Sequence, residues 1–386
     1  MSKPRSHQSP TMYRVLVPVL LAIGLMASVP DWVTIAQANG YYQSPETALL
    51  QNANLVTTTM INKSLIGMAI GKRTRGDSSK ATSGLRIDGL RIGGVQLDGN
   101  FFADEDSAAG GRAAGQLGGF VTAVGGFGDV FTELEFSDGG LIGGVDYQFS
   151  EALLGGLAIN WINTNVTYDG NNISSGGGSD QNTYGASLYT GYSDGPLNLD
   201  AVFNYSFSDY QMTRSLLVGD ATGTNNSDEI ILEGGAGYDF EMGGLTLGPE
   251  VRASLVKVWM DGYSETGAGI DNTEYSAFTL TSLTTDVGGE ASFSFKVAAG
   301  RITPRLHAFW VHEFEADSQV LTYRSVGTTP FRTATILNPD RNYGRIGVGA
   351  TMELQRGLEI YVDYEAIIGF DLLNSNQFSA GGRFEF

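Results

Sequence analysis

The chain has no cysteine, only 10 prolines and 3 histidines in 386 residues, and 23 basic against 42 acidic side chains. Without cysteine there is no disulfide framework and no thiol to carry a lipid at the mature N-terminus. Oxidising envelope compartments trap stray thiols, so a cysteine-free chain suits them. A net charge of -19 argues against nucleic acid as a partner, because phosphates would be repelled. After the first forty residues no apolar run approaches the roughly 20 residues that a spanning helix needs. A membrane protein of this composition must carry its apolar residues in alternation instead. What is abundant fits that solution: 53 glycines, 17 tyrosines and 20 phenylalanines.

The N-terminus reads as a secretory signal over residues 1–38. Lys3, Arg5 and Arg14 form a positive start, Val15 to Val29 an apolar stretch, and Ala36-Gln37-Ala38 a small-residue cleavage site that leaves Asn39 first in the mature chain. Such a signal makes the Sec translocon a partner.

From about residue 115 onward, alternating segments are divided by turn residues. Twelve strands are predicted, near 117–127, 139–149, 152–168, 181–194, 196–210, 228–242, 245–261, 279–295, 301–315, 342–354, 358–369 and 376–386. In the fifth, Leu197, Leu199, Ala201, Phe203, Tyr205 and Phe207 share a face, opposite Asn198, Asp200, Asn204, Ser206 and Ser208, with Val202 as the exception. In the last, Phe378, Ala380, Gly382, Phe384 and Phe386 oppose Gln377, Ser379, Gly381, Arg383 and Glu385. Carboxylates on the polar faces could not look into hydrocarbon, so those faces must line a wet interior.

A soluble sandwich would alternate too, but connection lengths separate the two. Long links are predicted at 128–138, 169–180, 211–227, 262–278, 316–341 and 370–375, with tight turns between them. Long and short connections in regular alternation are what a membrane barrel produces. Trp161, Tyr168, Tyr192, Trp259, Tyr263 and Tyr343 fall near strand ends, where interfacial girdles belong. By strand parity Glu250, Arg252, Asp286, Glu290, Arg345, Asp363, Glu365, Arg383 and Glu385 face the interior, as wall-bracing pairs or as the lining of a pore. Taken together they are acidic, so an open channel would favour cations.

Ahead of the strands lies a short N-terminal segment, 39–114. Ser44-Pro45-Glu46 is a helix start, and 45–72 is helix-compatible, with a stripe through Leu49, Val56, Met60, Lys63 and Ile66–Gly67. Residues 73–114 look loop-like and hold a small echo, Gly84-Leu85-Arg86-Ile87-Asp88 against Gly89-Leu90-Arg91-Ile92-Gly93.

Nothing in the sequence supports catalysis. His7 lies in the signal, and His307 and His312 are five apart on a strand, hence on opposite faces and unable to share a metal. Gly76-Asp77-Ser78-Ser79 is laid out like the nucleophile block of an exported lipase family. It lacks the following Leu, a preceding strand and a downstream Asp-x-x-His. Asp104-Glu105-Asp106 lacks the spacing of a calcium loop. The expectation is a non-enzyme without cofactor or metal.

Several fragments, in order, resemble the C-terminal β-domain of autotransporters (type V secretion): Gly143 to Ser150, Asp261 to Gly267, Trp310-Val311-His312-Glu313-Phe314, Val362-Asp363-Tyr364-Glu365 and Gly382 to Phe386. The resemblance covers roughly 115–386. It implies an all-β fold, a 12-stranded antiparallel up-and-down transmembrane β-barrel in the bacterial outer membrane, with an N-terminal α-helix, here 45–72, plugging the lumen. It further implies contact with outer-membrane lipid and lipopolysaccharide. The barrel assembly machinery would read the terminal strand, with Gly381, Phe384 and Phe386 as its signal, although Ala380 stands where a polar residue is expected. The large exported passenger of such proteins has no counterpart here. The implied function is a translocator domain or its solitary descendant; the alternative is an outer-membrane pore, or a surface-binding barrel using its extracellular loops.

Overall fold

A computed structural model describes residues 90–92, 95–97, 114–130, 134–168, 176–216, 219–315, 319–336, 340–354, 358–370 and 373–385. The signal segment with Ala36 and Ala38, the candidate helix 45–72 and Phe386 lie outside the described residues.

Twelve antiparallel strands make one closed wall. They are β1 (Leu117–Val130), β2 (Leu134–Gln148), β3 (Leu153–Tyr168), β4 (Gly177–Asp194), β5 (Leu197–Leu216), β6 (Gly219–Tyr238, continued by Phe240–Met242), β7 (Leu245–Met260), β8 (Phe278–Phe293, continued by Phe295–Val297), β9 (Gly300–Glu313), β10 (Asn342–Leu354), β11 (Leu358–Ile368) and β12 (Leu373–Glu385). Each pairs with its chain neighbours, and β12 pairs with β1 from Leu373↔Val130 to Glu385↔Gly118. That last pairing removes both sheet edges, so all twelve strands have partners on both sides.

Alternation decides which residue faces which way. Leu141, Val145, Leu157, Ile159, Phe203, Leu232, Val251, Val287, Leu306, Val348 and Val362 are exposed on the outer face. An apolar surface of that extent suits lipid, not water. Aromatic pairs rim its turn end: Tyr147 with Phe149, Tyr238 with Phe240 and Phe293 with Phe295. Toward the loop end stand Trp161, Tyr205, Trp259 and Trp310, all exposed. Of the aromatics expected in the girdles, Tyr192 shares the outer parity of Leu188. Tyr343 does not: it shares the inner parity of Arg345 and meets Phe370 edge-on at 4.9 Å. Tyr263 is stacked on Tyr275 at 4.7 Å, away from the belt.

Two expected loops are strands. Only 131–133 and 217–218 separate β1 from β2 and β5 from β6, not 128–138 and 211–227. Both β5 and β6 run 20 residues, whereas crossing a bilayer takes about 9–11. On β5 the outward apolar series ends at Phe207, and Asp209, Gln211 and Thr213 follow on the same face. Its partner on β6 at that level is Asp228, which accepts the Tyr205 hydroxyl. The remainder is a water-facing ribbon, read as loop because its residues are polar. The inner face of this ribbon is nonetheless buried, with Met212, Arg214 and Ala221.

Beyond the loop end a four-stranded sheet is built from Tyr263–Ser264, Thr273–Tyr275, Gln319–Ser325 and Arg332–Ile336. It packs Tyr275, Leu321, Tyr323 and Ala334 into a second small core and joins β6 through a Thr222↔Thr266 bridge. Near the N-terminus Leu90–Ile92 pairs with Val95–Leu97, so part of the loop-like stretch 73–114 is a hairpin.

The seam between β11, β12 and β1 depends on one glycine. The Tyr361 ring lies across Gly381, and its hydroxyl meets the Thr122 hydroxyl two strands away. A Cβ on Gly381 would fall 2.5 Å from Tyr361 Oη and 2.6 Å from the Val121 carbonyl. Gly381→Ala is expected to cost about 1–3 kcal/mol through overpacking, seen as a lower temperature for loss of the compact, heat-modifiable band in detergent gels. Val362→Arg, on the outer face of the same region, should cost about 2–4 kcal/mol by placing a charge in lipid. Folding yield into vesicles measures it.

Candidate functional site

The inner wall of the barrel is the candidate site. It carries one buried apolar cluster, with Leu134, Phe136, Ile162, Met212, Val258 and Leu280 among its members. Its charged part runs from Arg383 near the turn end to Arg345 near the loop end.

Arg252 on β7 is the centre of the charged part. Its guanidinium donates to Asp200 Oδ2 at 2.6 Å from β5, to Glu233 Oε1 at 2.7 Å from β6, and to Glu250 Oε1 at 2.6 Å on its own strand. Registry produces this: Asp200, Gly235 and Arg252 lie in one row across three strands. Gly235 leaves room for the side chain, since a Cβ there would stand 2.8 Å from Arg252 Nη1. A fixed planar fork of donors suits such sharing better than an ammonium would.

A second group lies across β8–β11. Arg345 donates to Asp286 Oδ2 at 2.6 Å and to Glu365 Oε1 at 3.2 Å, and its guanidinium sits 5.5 Å from the Phe309 ring centre. The other Glu365 oxygen is 3.2 Å from His307 Nε2. Arg305 donates to Asp363 Oδ2 at 3.0 Å. At the turn end Arg383 pairs with Glu385 and lies 3.8 Å from Glu359.

Of the residues singled out in the sequence, the structure joins Glu250 with Arg252, Asp286 with Arg345 and Glu365, and Arg383 with Glu385. Asp363 pairs outside that set, with Arg305. Glu290 is half-buried on the inner face of β8, opposite His307 in the register. Gly381 and Phe384 form part of the β12 seam; a Cβ on Gly119 would stand 2.9 Å from the Phe384 ring. Sequence reading put Asp200 and Glu359 on polar, inward strand faces without naming them among the lining charges, and it did not single out Glu233, Arg305 or His307 there. All follow from the parity of their strands, but their pairing needs the register. His312, on the outer face, stacks beside Trp310 and bonds Asn342 Oδ1 at 2.8 Å.

Beyond the apolar belt a further ion pair is buried. Arg214 donates to Glu265 Oε1 at 3.1 Å and Oε2 at 2.5 Å, and to the Asp271 carbonyl at 2.8 Å. Burial alone would lower the Arg214 pKa, but the bonded Glu265 charge more than offsets it and leaves it raised. This clasp ties the segment after β7 to the β5–β6 ribbon. Among the described residues no group of three or more metal-ligating side chains converges.

The family profile of the autotransporter beta-domain matches residues 119–365, which takes in β1 through most of β11. The chain belongs to the autotransporter beta-domain family. It is an integral outer-membrane, translocator-type β-barrel of the type V secretion class. Among solved structures it is similar to the translocator domain of the autotransporter NalP from Neisseria meningitidis, with 16% identity, TM-score 0.55, and coverage of 70% of this chain and 88% of that one. It is similar also to the beta domain of the Bordetella autotransporter BrkA, with 19% identity, TM-score 0.53, and coverage of 70% and 100%. At such identities the likeness is one of fold. A comparison with curated proteins gave no match.

Arg252 is a cation that three carboxylates share. Arg252→Met should therefore cost about 3–5 kcal/mol, the range for breaking a buried ion pair from one side. Glu250→Gln, which leaves Asp200 and Glu233 paired, should cost clearly less. Urea unfolding of the barrel in detergent, followed by tryptophan emission, compares the two.

Proposed function

We propose that this autotransporter-type barrel is filled by its own chain, residues 39–114, with the predicted helix 45–72 threaded through the lumen, and that its role is structural and secretion-related. One observation carries the reading. Inner-wall side chains on nearly every strand are almost solvent-free, including Thr122, Ile162, Asn204, Val258, Thr284 and Ser375. About eight strands enclose only as much space as their own side chains fill, and the interior widens with strand number. Twelve strands leave room for additional matter beside the wall's own side chains, and 39–114 is the stretch between the signal and β1.

In this reading residues 1–38 direct export through the Sec translocon and are removed after Ala38. Gly381, Phe384 and Phe386 mark β12 for the outer-membrane assembly machinery. The outer face contacts lipid and lipopolysaccharide. The wall charges brace the barrel and grip the filling, without catalysis and without a cofactor.

Planar-bilayer recording tests this. The mature chain should be nearly silent, and deletion of 39–89 should open a steady conductance. Acidic groups outnumber basic ones on the lining, so reversal potentials in a salt gradient should show cation preference. Equal conductance of the mature and truncated chains would favour the open-pore alternative.

A further inference from the structure

We infer that the loop-end mouth of the barrel is roofed on its β5–β9 side by a cap of the chain's own, the sheet of 263–275 and 319–336, and that Arg214 is the latch that holds it. This is a second barrier, separate from the filling by 39–114. On β5 the buried inward series runs through Ser208, Tyr210 and Met212 to Arg214. Arg214 therefore points to the lumen side of the β5–β6 ribbon, and what it grips lies there. It donates to both Glu265 oxygens, to the Asp271 carbonyl and, at 3.3 Å, to the Thr273 hydroxyl. On β6 Gly223 lies between inward Ala221 and Asn225. A Cβ on it would stand 2.9 Å from the Tyr263 ring, and Asn225 donates to the Asp261 carbonyl at 3.0 Å. The chain leaving β7 thus folds against the inner face of the ribbon, not out into solvent.

From there the cap bridges part of the mouth. Thr273–Tyr275 pairs with Gln319–Ser325, and both Glu274 oxygens accept from Arg324. The connection between β9 and β10 supplies 319–336, whereas the ribbon connects β5 to β6. Four of twelve strand positions separate the two, so backbone joining them on the inner side spans a third of the ring. Tyr263 and Phe278 pack on both the wall cluster and the small core of the cap. Met212, Met260 and Leu280, near the loop-side ends of β5, β7 and β8, are buried where an open mouth would wet them. Gly267 brings the backbones together: its φ is 104°, and a Cβ on it would fall 2.3 Å from the Asp220 carbonyl.

The latch is electrostatic. Arg214 and Glu265 are 4% and 2% exposed, and Glu265 also accepts the Thr273 amide at 2.8 Å. Removing the guanidinium leaves a buried carboxylate without its cation, which is strongly unfavourable. Relief comes when 263–275 lifts and water reaches Glu265. An ammonium in the same place would keep the charge but lose the planar fork that holds Glu265 and the Asp271 carbonyl together. Seating of the cap therefore depends on this side chain.

Met212→Cys is the probe, since the chain has no thiol of its own. In the mature chain folded into vesicles, a membrane-impermeant maleimide should label it slowly, and deletion of 39–89 should leave that rate unchanged. Adding Arg214→Met should speed labelling roughly tenfold or more, and Arg214→Lys should speed it less. Separately, Thr222→Cys with Thr266→Cys, which face each other in the backbone bridge, should be joined by a short thiol-bridging reagent. Arg214→Met should lower that yield. The heat-modifiable band in detergent gels confirms that each variant keeps a closed barrel. Fast labelling with Arg214 in place refutes the roof. If deletion alone speeds labelling, the N-terminal segment was the shield, and the roof is refuted while the filled lumen stands. If Arg214→Met changes neither labelling nor bridging, the latch is refuted. The filling is judged apart from this, by conductance on deletion of 39–89.

Discussion

In hydrocarbon every backbone amide needs a partner within the protein, and this requirement governs the rest of the molecule. It forces the sheet to close, so β12 must find β1, and the register from Leu373↔Val130 to Glu385↔Gly118 leaves neither strand unpaired between those limits. Closure sets a fixed inside and outside. Once these exist, a period of two is enough to send Phe378 and Val362 to lipid and Gln377 and Asp363 to the lumen. The abundance of glycine belongs to the same constraint. Inner-face rings such as Tyr361 over Gly381 lie flat against the neighbouring strand, which only a residue without a side chain permits.

The interior poses the converse problem. Polar side chains must point inward because they cannot point outward, yet a dry lumen penalises each unmatched charge. The wall answers with shared cations. Arg252 serves carboxylates from three strands, and Arg345 serves two across β8 and β11. Such groups bind strands that are not all neighbours, adding cross-wall ties to the ladder hydrogen bonds. The acidic surplus that remains gives the lumen its charge character.

Much of this was legible in the sequence. All twelve strands sit close to where alternation puts them, because lipid on one face and polar groups on the other leave the periodicity in plain view. The stretch 211–227 reads as a loop for a physical reason: where β5 and β6 leave the membrane, the outer face turns polar, and a solvated strand then has much of the composition of a loop. Tyr343 shows the limit of arguing from position near a strand end, since parity, not height, decides its face. Asp200 and Glu233 could be placed inward one strand at a time, but their meeting at Arg252 is a property of the register between strands. The short hairpin at 90–97 gave no signal strong enough to separate it from its surroundings.

Outer-membrane barrels usually carry flexible loops on the side away from their turns. Here that side ends in paired backbone: the β5–β6 ribbon, braced by Arg214 and Glu265, and the sheet formed by 263–275 and 319–336. Segments far apart in the chain lie edge to edge there, as at Tyr275↔Tyr323. An antibody or phage meeting the cell would touch a discontinuous epitope, and a synthetic peptide copied from either segment alone would not reproduce it.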